Sequence, residues 1–374
     1  MAAALPRAVG GLFEVCIGVT DFEAALGYWS AFGFRAGPRG ALAAKDARRA
    51  FGVDSALQSI RLYHGAADHG LIRLLKWDAA HDDGAGSAPT NNGAGLARTN
   101  NGAGLAPYRG HGSRWQGQFV RNAADIAHHA AVAKTKGQPV YDLPPAFIDM
   151  TAYNPALFGG KPFRPFADKL TAVSEYTLIQ PHARQAFLQR FNYDSRMMGR
   201  FVDDCLFPAT HIVHGGMMFT SDDAKAVDFY DTVLGLKRVS AIEMPYAKTT
   251  IQRAAFDLAP DDTYWAYIFE EPRSGPDNDT RRSGRLLMFR FGAASRLPDR
   301  RAQFSPGALG PSLFTWRVRD VAETRAACQR ADCRDIGEIG NDEFGTACFS
   351  CTTPDGFVWM FIQTTADEAA ALSV

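Results

Sequence analysis

Apolar residues along this chain fall into short runs and alternating stretches of strand length, broken by four segments of helical character. The segment LFEVCIGVTDFEAALGYWSAFGF, residues 12–34, reads as an apolar strand, a turn at Thr20-Asp21 and an amphipathic helix. Asp21 suits the N-cap because its side chain can accept from a free N–H of the first turn, and Gly33 suits the stop. The same order recurs in HGGMMFTSDDAKAVDFYDTVLGLKRVSAIEM, with Ser221 or Asp222 as cap and Gly235 as stop. It recurs again in SLFTWRVRDVAETRAACQRADC, capped by Asp320, and more weakly in QGQFVRNAADIAHHAAVAKTKGQ, capped by Asp125 and stopped by Gly137. Between these copies lie IRLYHG, HGLIRLLKW, SEYTLIQP, TYWAYIFEE, RLLMFRF and GFVWMFIQ, each of strand length and strand composition. Strand–helix–strands repeated four times predicts an α+β protein of repeated modules.

These copies, with the ending Pro354-Asp355-Gly356-Phe357-Val358-Trp359-Met360 and the turn Asp68-His69-Gly70, resemble the vicinal oxygen chelate superfamily of glyoxalases, bleomycin-resistance proteins and extradiol dioxygenases. The resemblance covers about three quarters of the chain. It implies four βαβββ modules, paired into two curved open-barrel halves with helices outside. The expected division is residues 1–185 for one pair, a helical connector over 186–208, and 209–374 for the second pair. Residues 78–112 fall outside the pattern: TNNGAGLA occurs twice there at a spacing of nine, in a composition that cannot form a core.

Composition narrows the classes of partner. Forty Lys and Arg balance forty Asp and Glu over 374 residues, so no basic face for nucleic acid or an anionic membrane is expected. No apolar run approaches eighteen residues and the opening MAAALPRAVGG lacks a signal-peptide core, which reads as a cytoplasmic protein without a membrane span. A small molecule is the expected partner, and a second copy of the chain is compatible with this composition. Six cysteines are sparse for this length and read as free or buried thiols. Cys348 and Cys351 form a C-x-x-C in a strand-like run, with no second pair in sequence to complete a zinc site.

In metal-using members of the family resembled, ligands sit on the first strand, seven residues before the helix cap, and on the last strand, four after the P-D-G glycine. Strand alternation points those side chains into the cavity. Carried onto this chain, the first pair of modules places Glu14, Arg73, Gln118 and Glu175 around one cavity, with Arg73 and Glu175 in looser register. The second pair offers His214, Tyr267, Leu313 or Phe314, and Met360, of which His214 is the weak metal candidate. Tyr63, His64 and His69, at strand ends and turns, are expected at the surface.

A guanidinium cannot ligate a cation, so Arg73 reads instead as a substitute for the metal's charge, with Glu14 as proton acceptor and Gln118 and Glu175 holding substrate. The plainer alternative is a wall salt bridge between Glu14 and Arg73. The cofactor expectation is none, or a divalent metal. The function expected is a glyoxalase-like lyase or isomerase transferring a proton on a small apolar or aromatic oxygenated substrate. A non-catalytic binding or resistance protein is the alternative, and a metal-dependent ring-cleaving dioxygenase the third reading.

Overall fold

The computed structural model describes residues 6–79, 108–149, 164–180, 183–192, 199–246, 251–274 and 282–371. Both TNNGAGLA copies lie outside these residues. Four βαβββ modules are present. The first comprises β1 (Ala8–Gly18), α1 (Phe22–Ser30), β2 (Phe34–Leu42), α2 (Ala44–Phe51), β3 (Leu57–His64) and β4 (Leu71–Trp77). The second comprises β5 (Ser113–Phe119), α3 (Ala123–Thr135), β6 (Tyr141–Asp149), β7 (Ala172–Gln180) and β8 (Ala183–Phe191). The third begins with β9 (His214–Thr220), and its helix is replaced by a 3-10 turn at Ala224–Val227 and a π turn at Phe229–Val233. It continues through β10 (Lys237–Pro245), α4 (Ile251–Ala255), β11 (Thr263–Glu270) and β12 (Arg285–Phe291). The fourth comprises β13 (Gly310–Val318), α5 (Val321–Arg330), β14 (Gly340–Asn341), β15 (Ala347–Thr352) and β16 (Val358–Gln363).

Capping chemistry starts the helices, and two of the four caps differ from expectation. Asp21 accepts from the N–H groups of Glu23 and Ala24, and Asp320 from that of Glu323, as the patterns require. In the second module Asn122, three residues before Asp125, is the cap, and in the third Asp223 takes the place of Ser221 or Asp222. Gly33, Gly137 and Gly235 all have positive φ, the conformation that ends a helix without the strain of a Cβ.

Two eight-stranded sheets result, in the orders β14-β15-β16-β13-β1-β4-β3-β2 and β10-β11-β12-β9-β5-β8-β7-β6. Modules one and four therefore share the first sheet, and modules two and three the second. Each joint is an antiparallel pairing of first strands, β1 with β13 and β5 with β9. Consecutive modules are not paired, so residues 1–185 and 209–374 each give one module to each sheet. Residues 183–191, expected to begin a helical connector, are β8; it pairs with β7 and lies parallel to β5 as the last strand of its module. The segment SEYTLIQP is accordingly a third strand, not a fourth.

The convex faces of the two sheets and the module helices share one apolar core. Phe32, just past α1, stacks on Phe187 of β8 at 5.1 Å, and Phe229 meets Phe361 of β16 at 6.3 Å. Helices α1, α3 and α5 thus lie outside each sheet's curve and yet between the sheets. A polar seam joins the two sheets where the turns before β4 and β12 meet. A Cβ on Gly70 would lie 2.1 Å from the Ile212 carbonyl oxygen, so only glycine fits that close approach. Beside it the Ser283 hydroxyl sits 2.7 Å from His69 Nε2 and 2.6 Å from His211 Nε2, and Asp68 holds the other His69 nitrogen at 2.6 Å. His64, expected at the surface, is buried, with Nε2 3.1 Å from the Phe32 carbonyl oxygen.

Candidate functional site

The concave faces of the sheets are the places where modules of this kind can hold a ligand, and here the two differ in chemistry. On the first, Glu14 of β1 and Arg73 of β4 project inward from the registers expected. The Asp21 cap holds, so Glu14 stands seven residues before it. Arg73 donates to Glu14 at 2.5 Å, Arg61 donates to the other carboxylate oxygen at 2.5 Å, and the Thr315 hydroxyl adds a third contact at 3.0 Å. Asp342 and Glu343 complete the shell of Arg73 at 3.3 and 3.4 Å. Glu14 and Arg73 have no exposed surface. Burial alone would raise the Glu14 pKa, but the charges of Arg61 and Arg73 overcome it and hold the carboxyl below its ordinary value.

A cover closes this face. Ala47, Ala50 and Phe51 of α2 pack with Cys16, Leu75, Leu313, Cys348 and Met360, while the Phe344 ring lies 4.2 Å from the Arg61 guanidinium. The positions that carry ligands in metal-using relatives are thus Glu14, Arg73, Leu313 and Met360. One hard donor with its lone pairs already taken, beside a fixed cation and a thioether, does not fit a divalent ion.

Gln118 and Glu175 lie on the other sheet and do not meet Glu14 and Arg73. Nor do they meet each other. Moving the cap from Asp125 to Asn122 shifts the count by three, an odd number, and in a strand an odd shift changes the face. Trp115 takes the inward position, and Gln118 points into the layer between the sheets. There Gln118 donates to the Thr210 carbonyl at 2.9 Å and accepts from Gln185 at 2.9 Å, and Tyr28 of α1 hydrogen-bonds Gln185.

Glu175 does face the concave side, from β7, in line with Thr177 and Ile179. It keeps a partly exposed edge, and among the described residues no cation or hydrogen-bond donor pairs with it. Desolvation therefore acts unopposed and raises its pKa from 4.5 to about 7.

The surroundings of this face are aromatic and cationic. Trp115 forms the floor, stacked on Tyr108 at 4.5 Å and 5° and flanked by Phe289 at 5.4 Å and Phe256 at 5.6 Å. The Arg184 guanidinium of β8 lies 5.6 Å from the Tyr108 ring and 4.9 Å from that of Phe304. Burial, reinforced by the neighbouring Arg300, pushes Arg184 down to about 9. Tyr108 links the two ends of the face. Burial chiefly, and then the charge of Glu175, drive its phenol pKa up.

His214 also points to this side, packed against Gly117, where a Cβ would fall 2.0 Å from its ring. Burial, with the charge of Arg285, pushes it down to about 3, so it is a neutral imidazole. Among the described residues His214 belongs to no group of three or more potential metal ligands.

Sequence reasoning missed Tyr108, Trp115, Arg184 and Arg300. Trp115 was within reach, by reading Asn122 as the cap. Tyr108 and Arg300 come from segments outside the strand pattern, and nothing in their local sequence marks them.

Residues 210–361 match the Glyoxalase/Bleomycin resistance protein/Dioxygenase superfamily. That segment belongs to this superfamily. Glyoxalase I from Zea mays has a similar structure, at a TM-score of 0.50 and 13% identity over 97% of this chain and 95% of that one. A glyoxalase family protein from Bacillus cereus covers 40% of this chain and 89% of its own, at a TM-score of 0.32 and 16% identity. No curated protein matches the chain in sequence. At these identities the likeness to the maize protein shows the superfamily fold, extended over both halves of the chain. Among the described residues no helix is long and apolar enough to cross a membrane.

Proposed function

We propose that this superfamily member is a glyoxalase-like enzyme that moves a proton on a small aromatic or apolar oxygenated substrate. The concave face of the second sheet holds the reaction. The observation that carries this reading is Glu175: a carboxyl that no cation or hydrogen-bond donor pairs with among the described residues, with its pKa brought by burial to about 7. A group that titrates near neutrality takes and returns a proton with the least mismatch in driving force. A flat substrate packs beside the Tyr108–Trp115 stack, and the Arg184 guanidinium holds the oxygen on which negative charge develops. Glu175 then removes the proton from the adjacent carbon and redelivers it. Glu175, expected only to orient substrate, takes the acid–base role. Glu14 and Arg73 act as the salt bridge that shapes the other sheet.

The test is exchange of solvent deuterium into aromatic α-hydroxy and α-keto compounds, followed by NMR. Exchange that rises with pH through a midpoint near 7 and disappears in Glu175→Gln supports the proposal. Tight binding without exchange in the wild type would overturn it in favour of a sequestering protein. Dioxygen uptake with catechols after iron loading would overturn it in favour of ring cleavage.

A further inference from the structure

Cys348 and Cys351 are three residues apart in β15, and strand alternation sends them to opposite faces. Cys348 packs into the core of the first sheet's concave side, while Cys351 enters the layer between the sheets. There it meets two thiols from elsewhere in the same module, Cys328 on the last turn of α5 and Cys333 just beyond it. The three sulfurs lie within 4.8 Å of one another. We infer that Cys328, Cys333 and Cys351 form a three-sulfur binding site for a soft monovalent cation of the copper(I) class.

Backbone hydrogen bonds, none of which involves a side chain, set this arrangement. The Cys333 N–H donates to the Cys328 carbonyl oxygen at 3.3 Å, closing the end of α5 through Asp332 at φ +54°. The next residue, Arg334, then exchanges two hydrogen bonds of 2.8 Å with Thr352, the neighbour of Cys351. Helix end and strand are thereby tied on both sides of the sulfur trio, and the left-handed residue is held by its surroundings.

Three sulfurs around an ion at a thiolate–metal distance of about 2.3 Å stand roughly 4 Å apart, so a small inward movement completes the site. The donor set selects the ion. Three thiolates with no nitrogen or oxygen ligand suit a soft, low-coordinate cation, whereas zinc asks for a fourth ligand, and among the described residues none is within reach. Each copper–sulfur bond replaces a sulfur–hydrogen bond, and the protons leave to solvent. Cys328 and Cys351 are buried and Cys333 is half-buried.

The experiment is anaerobic titration of the reduced full-length protein with copper(I) supplied as its acetonitrile complex, in competition with a chromogenic copper(I) chelator. Expected are one copper per chain, a thiolate-to-copper absorption in the ultraviolet, and at least a tenfold loss of affinity in Cys333→Ser. Cys348→Ser and Cys205→Ser should bind as the wild type does. Because Cys333 is partly exposed, its serine variant should fold, and far-ultraviolet circular dichroism checks that it does. The inference fails if the chelator keeps all the copper, if Cys333→Ser binds unchanged, or if zinc displaces copper(I) at equal concentration.

Discussion

Replacing Glu175 by glutamine removes a charge from a place that does not stabilise it, so the variant should be more stable than the wild type. Glutamine keeps the shape and loses the ionisation. In the unfolded chain a glutamate ionises near 4.5, and in the fold Glu175 ionises near 7. The unfolded state therefore releases its proton first, and the wild type loses stability as pH rises from about 4.5 to about 7. At ~1.4 kcal/mol per pH unit the full difference is about 3 kcal/mol above pH 7, and the partly exposed edge of Glu175 places the measured value nearer 2. Below pH 4 the two proteins should unfold at the same urea concentration. Above pH 7 the variant should be the more stable. Proton transfer, by contrast, should fall by roughly 10²–10⁴-fold. Parallel urea curves for the two proteins from pH 4 to pH 8 would refute the reasoning, because they would mean that the carboxyl is solvated or paired and has no raised pKa to use.

Arg73→Met should cost roughly 3–5 kcal/mol in urea unfolding, since it removes the cation beside Glu343 and Asp342 and halves the support of Glu14, while exchange per folded molecule stays unchanged. Gln118→Ala should cost roughly 1–3 kcal/mol by leaving the Gln185 amide N–H and the Thr210 carbonyl without their partner in the buried layer, again without loss of exchange. Acid should destabilise the seam. Burial pushes His64 down to about 4 and His211 well below 6.5, so the unfolded chain takes up protons first and stability falls as pH drops from about 6.5 toward 4. His64→Gln should flatten part of that slope in urea midpoints measured across the same range. Arg184→Lys should weaken retention of an aromatic carboxylate at least tenfold in calorimetry, because an ammonium does not reproduce the planar guanidinium's contacts.

The four modules were legible because the signals that mark them are local. A strand with period two, a capping Asp or Asn, a helix and a glycine at positive φ are all short-range chemistry, and they recur at Asp21, Asn122, Asp223 and Asp320. Glu14 was legible for the same reason: its face follows from counting back seven residues from a cap that is itself local. What pairs with what was not. First strands of four similar modules present similar apolar edges, and which two join is decided by packing across roughly one hundred to three hundred residues of chain, Gln116 against Gly215 and Glu14 against Thr315. That choice separated Glu14 and Arg73 from Gln118 and Glu175, filled one concave face with a salt-bridge network and left in the other a carboxyl that is unpaired among the described residues. Sequence settles the residue types and, where the helix cap is read correctly, the face each first strand turns. Charge compensation depends on neighbours remote in the chain, so only the tertiary structure decides that Glu14 is held ionised between two guanidiniums while Glu175, with none among the described residues, titrates near neutrality.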